Sequence, residues 1–160
     1  MAPRSTEQEP DPRAVRAACA EVRATCASSG LRRAAREMTQ RYERALAPSG
    51  IKATQFPILV ALGAGDPVPI VPLAERLGLD RTTLTRNLRI LERRGLVAVS
   101  AAEHDARIRL ARVTDEGLRV LAHALELWRA EQHEVTEAFG QDRLRELFGE
   151  LSELTHAGRL

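Results

Sequence analysis

Thr82, Thr85, Arg86 and Arg89 recur at i, i+3, i+4 and i+7, the spacing that stacks side chains on one face of a helix. That face would carry hydroxyls and guanidiniums, donors with positive charge, and the chemistry open to them is to hold an anion rich in hydrogen-bond acceptors. Leu84, Leu88 and Leu91 repeat at i, i+4 and i+7 on a different face, which suits a core. Solvent alone also selects charged helix faces, so the flanking elements have to decide between water and a polyanion. Catalytic chemistry has less footing. The chain holds no H-E-x-x-H, G-x-S-x-G or phosphate-binding glycine loop, and its four histidines are scattered, so nothing pairs a nucleophile with a base. We read no enzyme, no cofactor and no metal site.

The elements around that stretch give it a frame. Residues 71–77 make a short apolar helix ending at Gly78, the residue suited to a left-handed C-terminal cap. Asp80 can cap the next helix through its carboxylate, and Gly95 should end it. Two helices three or four residues apart around a glycine, with the small Ala74 between them, describe a helix-turn-helix. LVAVS, the polar tip AAEHDAR and IRLARV then read as a β-hairpin. Thr114 should open a long helix through Leu118, Leu121, Leu125, Trp128, Val135 and Phe139, and Gly140 separates it from a last helix bearing Leu144, Leu147, Phe148, Leu151 and Leu154.

Upstream, Val15, Cys19, Val22 and Cys26 repeat with heptad spacing until Ser28, Ser29 and Gly30 interrupt them. Leu31, Ala35, Met38, Tyr42 and Leu46 form a second stripe, and Thr54 is positioned to cap a helix over Phe56–Leu62. The order predicts a mainly α fold: a winged helix-turn-helix with a small hairpin wing, and N- and C-terminal helices forming a dimerisation domain. The expected boundaries are a disordered tail over 1–12, a helical dimerisation region over 13–53 and 114–160, and a winged domain over 54–113. The terminal stripes are wider than so small a central domain can cover, so we expect a homodimer.

Composition agrees. With 160 residues, 44% of them hydrophobic and only 3% aromatic, the chain can bury a core of aliphatic side chains on helices. Its net charge of +2 hides a segregation. Residues 76–112 carry nine arginines against four carboxylates, a local +5, whereas residues 113–160 carry five against ten, a local −5. The basic centre fits a polyanion. Two cysteines without a CxxC spacing suggest a reducing cytoplasm. No apolar run is long enough to span a bilayer, and no secretory signal is expected at the start.

LAERLGLDRTTLTRNLRILERRGLV, followed by the D-x-R of Asp105, Ala106 and Arg107 and by Val113–Thr114, resembles the MarR family of bacterial transcriptional regulators. LRRAAREMTQRYERALAPSGIKATQF is similar to the family's first helix and its approach to the second, so the resemblance runs from about Leu31 to Leu154. It implies a cytoplasmic homodimer on double-stranded DNA with a roughly palindromic site, acting as a repressor released by a small molecule, an oxidant or a metalloid. It also implies roles. Arg81, Thr82, Thr83, Thr85, Arg86 and Arg89 would be recognition-helix contacts in the major groove, to bases or to phosphates. Arg107 would enter the minor groove, where a planar, weakly hydrated cation is favoured, with Asp105 orienting its guanidinium. Many members have arginine where this chain has Ala106, which would weaken the grip of the wing. The competing function is a helical dimeric protein-interaction adaptor whose winged domain no longer reads DNA.

Other residues draw plainer readings. Arg93 and Arg94 complement a helix dipole, Trp128 and Tyr42 are core or pocket-wall residues, and His104 is an exposed loop histidine. Cys19 and Cys26 are either small core residues or effector-sensing thiols. Seven residues of continuous helix would hold them about 10 Å apart, too far to bridge, so sensing would need a break in the helix, the partner subunit or a thiol-reactive effector.

Overall fold

The computed structural model describes residues 11–157, and the chain divides into two units, residues 1–38 and 39–160. Of the tail expected at 1–12, only Asp11 and Pro12 fall among the described residues. Pro12 opens a helix and Asp11 caps it. Asp11 accepts the Arg13 amide at 2.9 Å, and α1 runs over Pro12–Thr25 with its proline in the first turn, where the missing donor costs nothing. No residue of α1 is buried.

The break after α1 falls earlier than the sequence suggests. Cys26 is extended (ψ 103°) and α2 (Ala27–Leu46) begins at once. Ser28, Ser29 and Gly30 therefore occupy its first turn. First-turn amides lack intrahelical partners, so residues that are poor in a helix interior are tolerated there. The helix continues into the second unit and ends in a 3-10 turn, Ala47–Ser49, closed by Gly50 at φ +71°.

The second unit holds α3 (Phe56–Leu62), β1 (Val68–Pro69), α4 (Ile70–Arg76), α5 (Arg81–Arg93), β2 (Val97–Ala101), β3 (Arg109–Val113), α6 (Asp115–Phe139) and α7 (Gln141–Ala157). Thr54 does not cap α3. Gln55 takes that position without a side-chain cap, and Pro57 removes one donor that would need satisfying. The hairpin is the larger part of a three-stranded antiparallel sheet of order β1-β3-β2. In its register Val97 faces Val113 and Ala101 faces Arg109, while Val68 and Pro69 pair with Ala111 and Leu110.

Leu84, Leu88 and Leu91 of α5 are at most 2% exposed, in one core with Ile58, Leu59, Leu62, Leu73, Leu96 and Leu121. Each buried leucine contributes roughly 2 kcal/mol from apolar burial, which fixes the rotation of α5 about its axis. Gly78 at φ +62° and the Leu79 amide on the Ala74 carbonyl (2.9 Å) turn the chain between α4 and α5, the geometry of a glycine-terminated helix. Past α5, the Thr114 hydroxyl donates to the Gly95 carbonyl at 2.6 Å and accepts the Gly117 amide at 3.0 Å. The Thr114 amide donates to the Leu96 carbonyl at 3.1 Å. One threonine thus caps α6 and ties it to the end of α5. The fold is a winged helix-turn-helix set among longer helices. Among the described residues, no helix is long and apolar enough to cross a membrane.

Candidate nucleic-acid interface

The first turn of α5 is fixed by Asp80, whose Oδ1 accepts the Thr83 amide at 2.8 Å. Hydrogen bonds from the Thr83 side chain and amide, and then from the Thr82 amide, hold the Asp80 carboxyl below the usual carboxylate range. The cap therefore stays charged at neutral pH and suits the positive end of the helix.

With its leucines and Asn87 turned inward, α5 presents three flanks. Arg81, Thr85 and Arg89 line a groove of about 650 Å³ whose other walls include Ile70, Pro72 and Val99 and the wing residues Arg107 and Arg109. The outward surface carries Arg81, Thr82, Thr85, Arg86 and Arg89. On the far flank, Thr83, Arg86, Asn87 and Ile90 border a smaller cavity shared with Lys52, Thr54 and Pro57. The six α5 residues singled out by sequence thus sit together on one exposed helix, with one qualification. Thr83 is half-buried and belongs to the far flank rather than to the outward face.

Arginines on this helix fall into two kinds. Arg81, Arg86 and Arg89 are exposed, and none forms an ion pair among the described residues. Arg94, expected only to complement the helix dipole, instead donates to the Gly50 carbonyl at 2.9 Å and pins the end of α5 to the turn after α2. Thr85 donates its hydroxyl to the Arg81 carbonyl at 2.7 Å, so the groups it offers outward are a methyl and an accepting oxygen.

At the wing tip Asp105 acts as a two-pronged brace. Its Oδ1 accepts the Arg107 amide at 2.9 Å and Nε at 3.1 Å, and its Oδ2 accepts Nη2 at 3.2 Å. These bonds hold the Asp105 carboxyl below the usual range, while the Arg107 side chain remains 91% exposed. A guanidinium aimed into solvent by a fixed carboxylate is preorganised, so less side-chain freedom is lost when it meets an anion. The sequence reading missed Lys52, which borders the far cavity, and Arg109, which lines the groove beside Arg107.

The cysteines belong to the first unit. Cys19 is exposed and Cys26 half-exposed, both as free thiols. Cys26 occupies the break between α1 and α2. Hydrogen bonds from the Ser29 hydroxyl and amide, then from the Ser28 amide, and the charge of Arg32 lower its pKa below that of an ordinary thiol. Neither is a buried core residue. Tyr42 and Trp128 are half-buried as expected: the Tyr42 hydroxyl donates to Gln132 Oε1 at 2.6 Å, beside the Arg41–Glu131 ion pair, and Trp128 stacks on Phe56 with ring centroids 6.3 Å apart.

This arrangement is that of a winged helix-turn-helix regulator, and comparison with known proteins gives the family. The model of the MarR family matches residues 49–108. The transcriptional regulator MosR of M. tuberculosis, crystallised with DNA, is 42% identical with a TM-score of 0.75, covering 85% of this chain and 100% of that one. The PcaV regulator of Streptomyces coelicolor, solved with its natural ligand, is 26% identical with a TM-score of 0.77, over 84% of this chain and 95% of that one. An organic hydroperoxide resistance transcriptional regulator of Bacillus subtilis (strain 168) is 30% identical over 92 residues, 58% of this chain. The match spans 63% of that curated relative. This chain belongs to the MarR family. It is a DNA-binding transcriptional regulator and not an enzyme.

Proposed function

We propose that the chain acts as a homodimeric, sequence-specific repressor that lays two α5 helices in the major groove of a two-fold symmetric duplex and is released by an effector. The observation that carries the reading is the groove shared by Arg81, Thr85, Arg89 and Arg107. Helix α5 and the wing present four arginines, Arg81, Arg89, Arg107 and Arg109, against the one carboxylate of Glu92 in a single concavity, which suits a DNA backbone lying between a read major groove and an entered minor groove. In this reading Arg86 and Arg89 pair with guanine edges or phosphates, Arg81 and Thr82 contact the backbone, Thr85 offers its methyl to thymine, and Thr83 positions the helix start. A second copy is called for by apolar side chains left on the surface. Val15, Val22, Leu31 and Met38 in the first unit, and Phe139, Leu147, Phe148 and Leu154 on α6 and α7, are 37% to 61% exposed, apolar surface that a second copy would cover. Residues 13–53 and 114–160 would supply that dimer region.

For the effector, the preferred site is Cys26. A thiol held by helix-start amides beside an arginine ionises more readily and so reacts faster with oxidants and metalloids. The relative named for organic hydroperoxide resistance points the same way, whereas PcaV, solved in complex with its natural ligand, favours release by a bound ligand. Selection from random duplex DNA should return a site with two half-sites about one helical turn apart. An asymmetric consensus, or a monomer in solution, would end the dimer reading.

A second measurement addresses the thiol. In Cys19→Ser protein, alkylation of Cys26 by iodoacetamide should reach half its maximal rate at a pH below that of a free cysteine, because the thiolate is the reactive form. Cys26→Ser protein should stay on DNA when peroxide or arsenite is added. Equal release of wild type and Cys26→Ser would move the effector away from this thiol.

A further inference from the structure

The far flank of α5 faces a cavity that the wing and the outward contacts do not use. Its volume is about 430 Å³, and its lining combines the apolar Leu77, Leu79, Pro57 and Ile90 with the neutral polar Gln55, Thr83 and Asn87. Lys52, Thr54 and Arg86 complete the lining, and no carboxylate is part of it. We infer that this cavity is a phosphodiester-binding site, in which Lys52, Thr54 and Arg86 hold a DNA backbone phosphate on the side of α5 away from the wing. The inference rests on the DNA-binding activity and adds a third point of grip to it.

Three observations separate Lys52 from an ordinary solvated lysine. The first is its backbone. The Lys52 amide donates to Gln55 Oε1 at 3.2 Å, and its carbonyl accepts the amides of Gln55 (2.8 Å) and Phe56 (3.0 Å). The next residue is held too, since the Ala53 amide donates to Glu43 Oε2 at 2.6 Å. Gln55, which supports the turn, is 2% exposed. The Lys52 backbone is therefore fixed where it borders the cavity, and a contact has only the side chain itself left to order.

The second is charge. Two cations line one concavity whose remaining residues are all neutral, among them the polar Gln55, Thr83 and Asn87, and the Lys52 side chain forms no ion pair among the described residues. The third is Arg86, which borders both this cavity and the outward surface of α5. A strand following α5 along its outward surface therefore passes the mouth of the cavity. A lysine as a point charge with a neighbouring hydroxyl suits a phosphate oxygen, and it carries no base information.

The test uses the full chain as wild type, Lys52→Ala and Lys52→Arg. Binding is read by fluorescence anisotropy across a salt series, on a duplex selected from random DNA and on a scrambled duplex of equal length. Lys52→Ala should weaken both duplexes alike, by roughly tenfold, and flatten the log–log salt slope by about one per subunit. Lys52→Arg should bind as wild type does. On wild-type protein, an uncharged methylphosphonate at each backbone position in turn should reproduce the Lys52→Ala loss at one position per half-site, and the two losses should not add. Free inorganic phosphate at constant ionic strength should leave the slope unchanged, separating a backbone site from a pocket for a free anion. An unaltered slope in Lys52→Ala, a loss confined to the selected duplex, or additive losses would overturn the site. Wild-type protein without salt-dependent binding would bring down the DNA-binding reading itself.

Discussion

Replacing Gly117 by alanine should destabilise the protein by about 3 kcal/mol or more and lower its melting temperature by roughly 10 °C. Gly117 is buried in the first turn of α6, where a Cβ would overlap the Leu96 carbonyl oxygen and lie 2.7 Å from Val113 Cγ2. Neither neighbour has room to yield. The Leu96 carbonyl already accepts the Thr114 amide, and Val113 is paired with Val97 in the sheet. The strain falls on the joint where α5, the sheet and α6 meet. DNA affinity should fall with stability, and circular dichroism against temperature checks the first part directly. Gly149→Ala is the control, since a Cβ there meets nothing within 4 Å and alanine favours the helix. Equal melting of the two variants would contradict the packing described here.

The second large effect concerns binding alone. Arg89→Ala and Arg107→Ala should each reduce affinity for a selected duplex by roughly 10- to 100-fold per half-site with no change in melting temperature, because both side chains are exposed and neither supports the core. They should differ in kind. Arg89→Ala relaxes base preference within the half-site, whereas Arg107→Ala acts on the flanking minor groove and most strongly at narrow A·T tracts. Asp105→Asn should lie between wild type and Arg107→Ala, since asparagine keeps an acceptor and loses the charge. The pH dependence has a definite sign. A carboxyl with a depressed pKa in the folded protein holds its brace above the ordinary carboxylate range and loses it only as pH falls through the depressed value. The wing should keep its geometry throughout the neutral range. Anisotropy titrations at pH 6 to 8 that show the wing contribution fading would count against the brace.

Much of this interface was legible from sequence because it is built from local rules. Gly78, Asp80, Gly95 and Thr114 mark helix ends through their own side chains or lack of one, and the leucines of α5 declare its buried face by period. What escaped reading depends on contacts between distant segments. β1 has two residues, too few for any alternation, and one is a proline; it exists because β3 offers an edge. Thr54 had the chemistry of a cap, but the chain turned one residue later, around Gln55. The break at Cys26 was read at Ser28–Gly30 because serine and glycine signal both interruption and tolerance of a first turn. Arg94 finds the Gly50 carbonyl across 44 residues, and no local pattern announces that. Thr83 and Lys52 show the same limit at the site, since which flank of α5 each one borders depends on where the segment before α3 comes to rest.

The single helix α6, 25 residues long, amounts to a rod of about 37 Å. Its beginning is tied through Thr114 to the Gly95 and Leu96 carbonyls just past α5. Pivoting such a rod by about 5° sweeps its other end through roughly 3 Å, more than half a helical pitch. Run in reverse, the same leverage means that a modest displacement near Gly140 changes the attitude of α5 by only a few degrees. The gearing between the two ends is set by the length of one uninterrupted element.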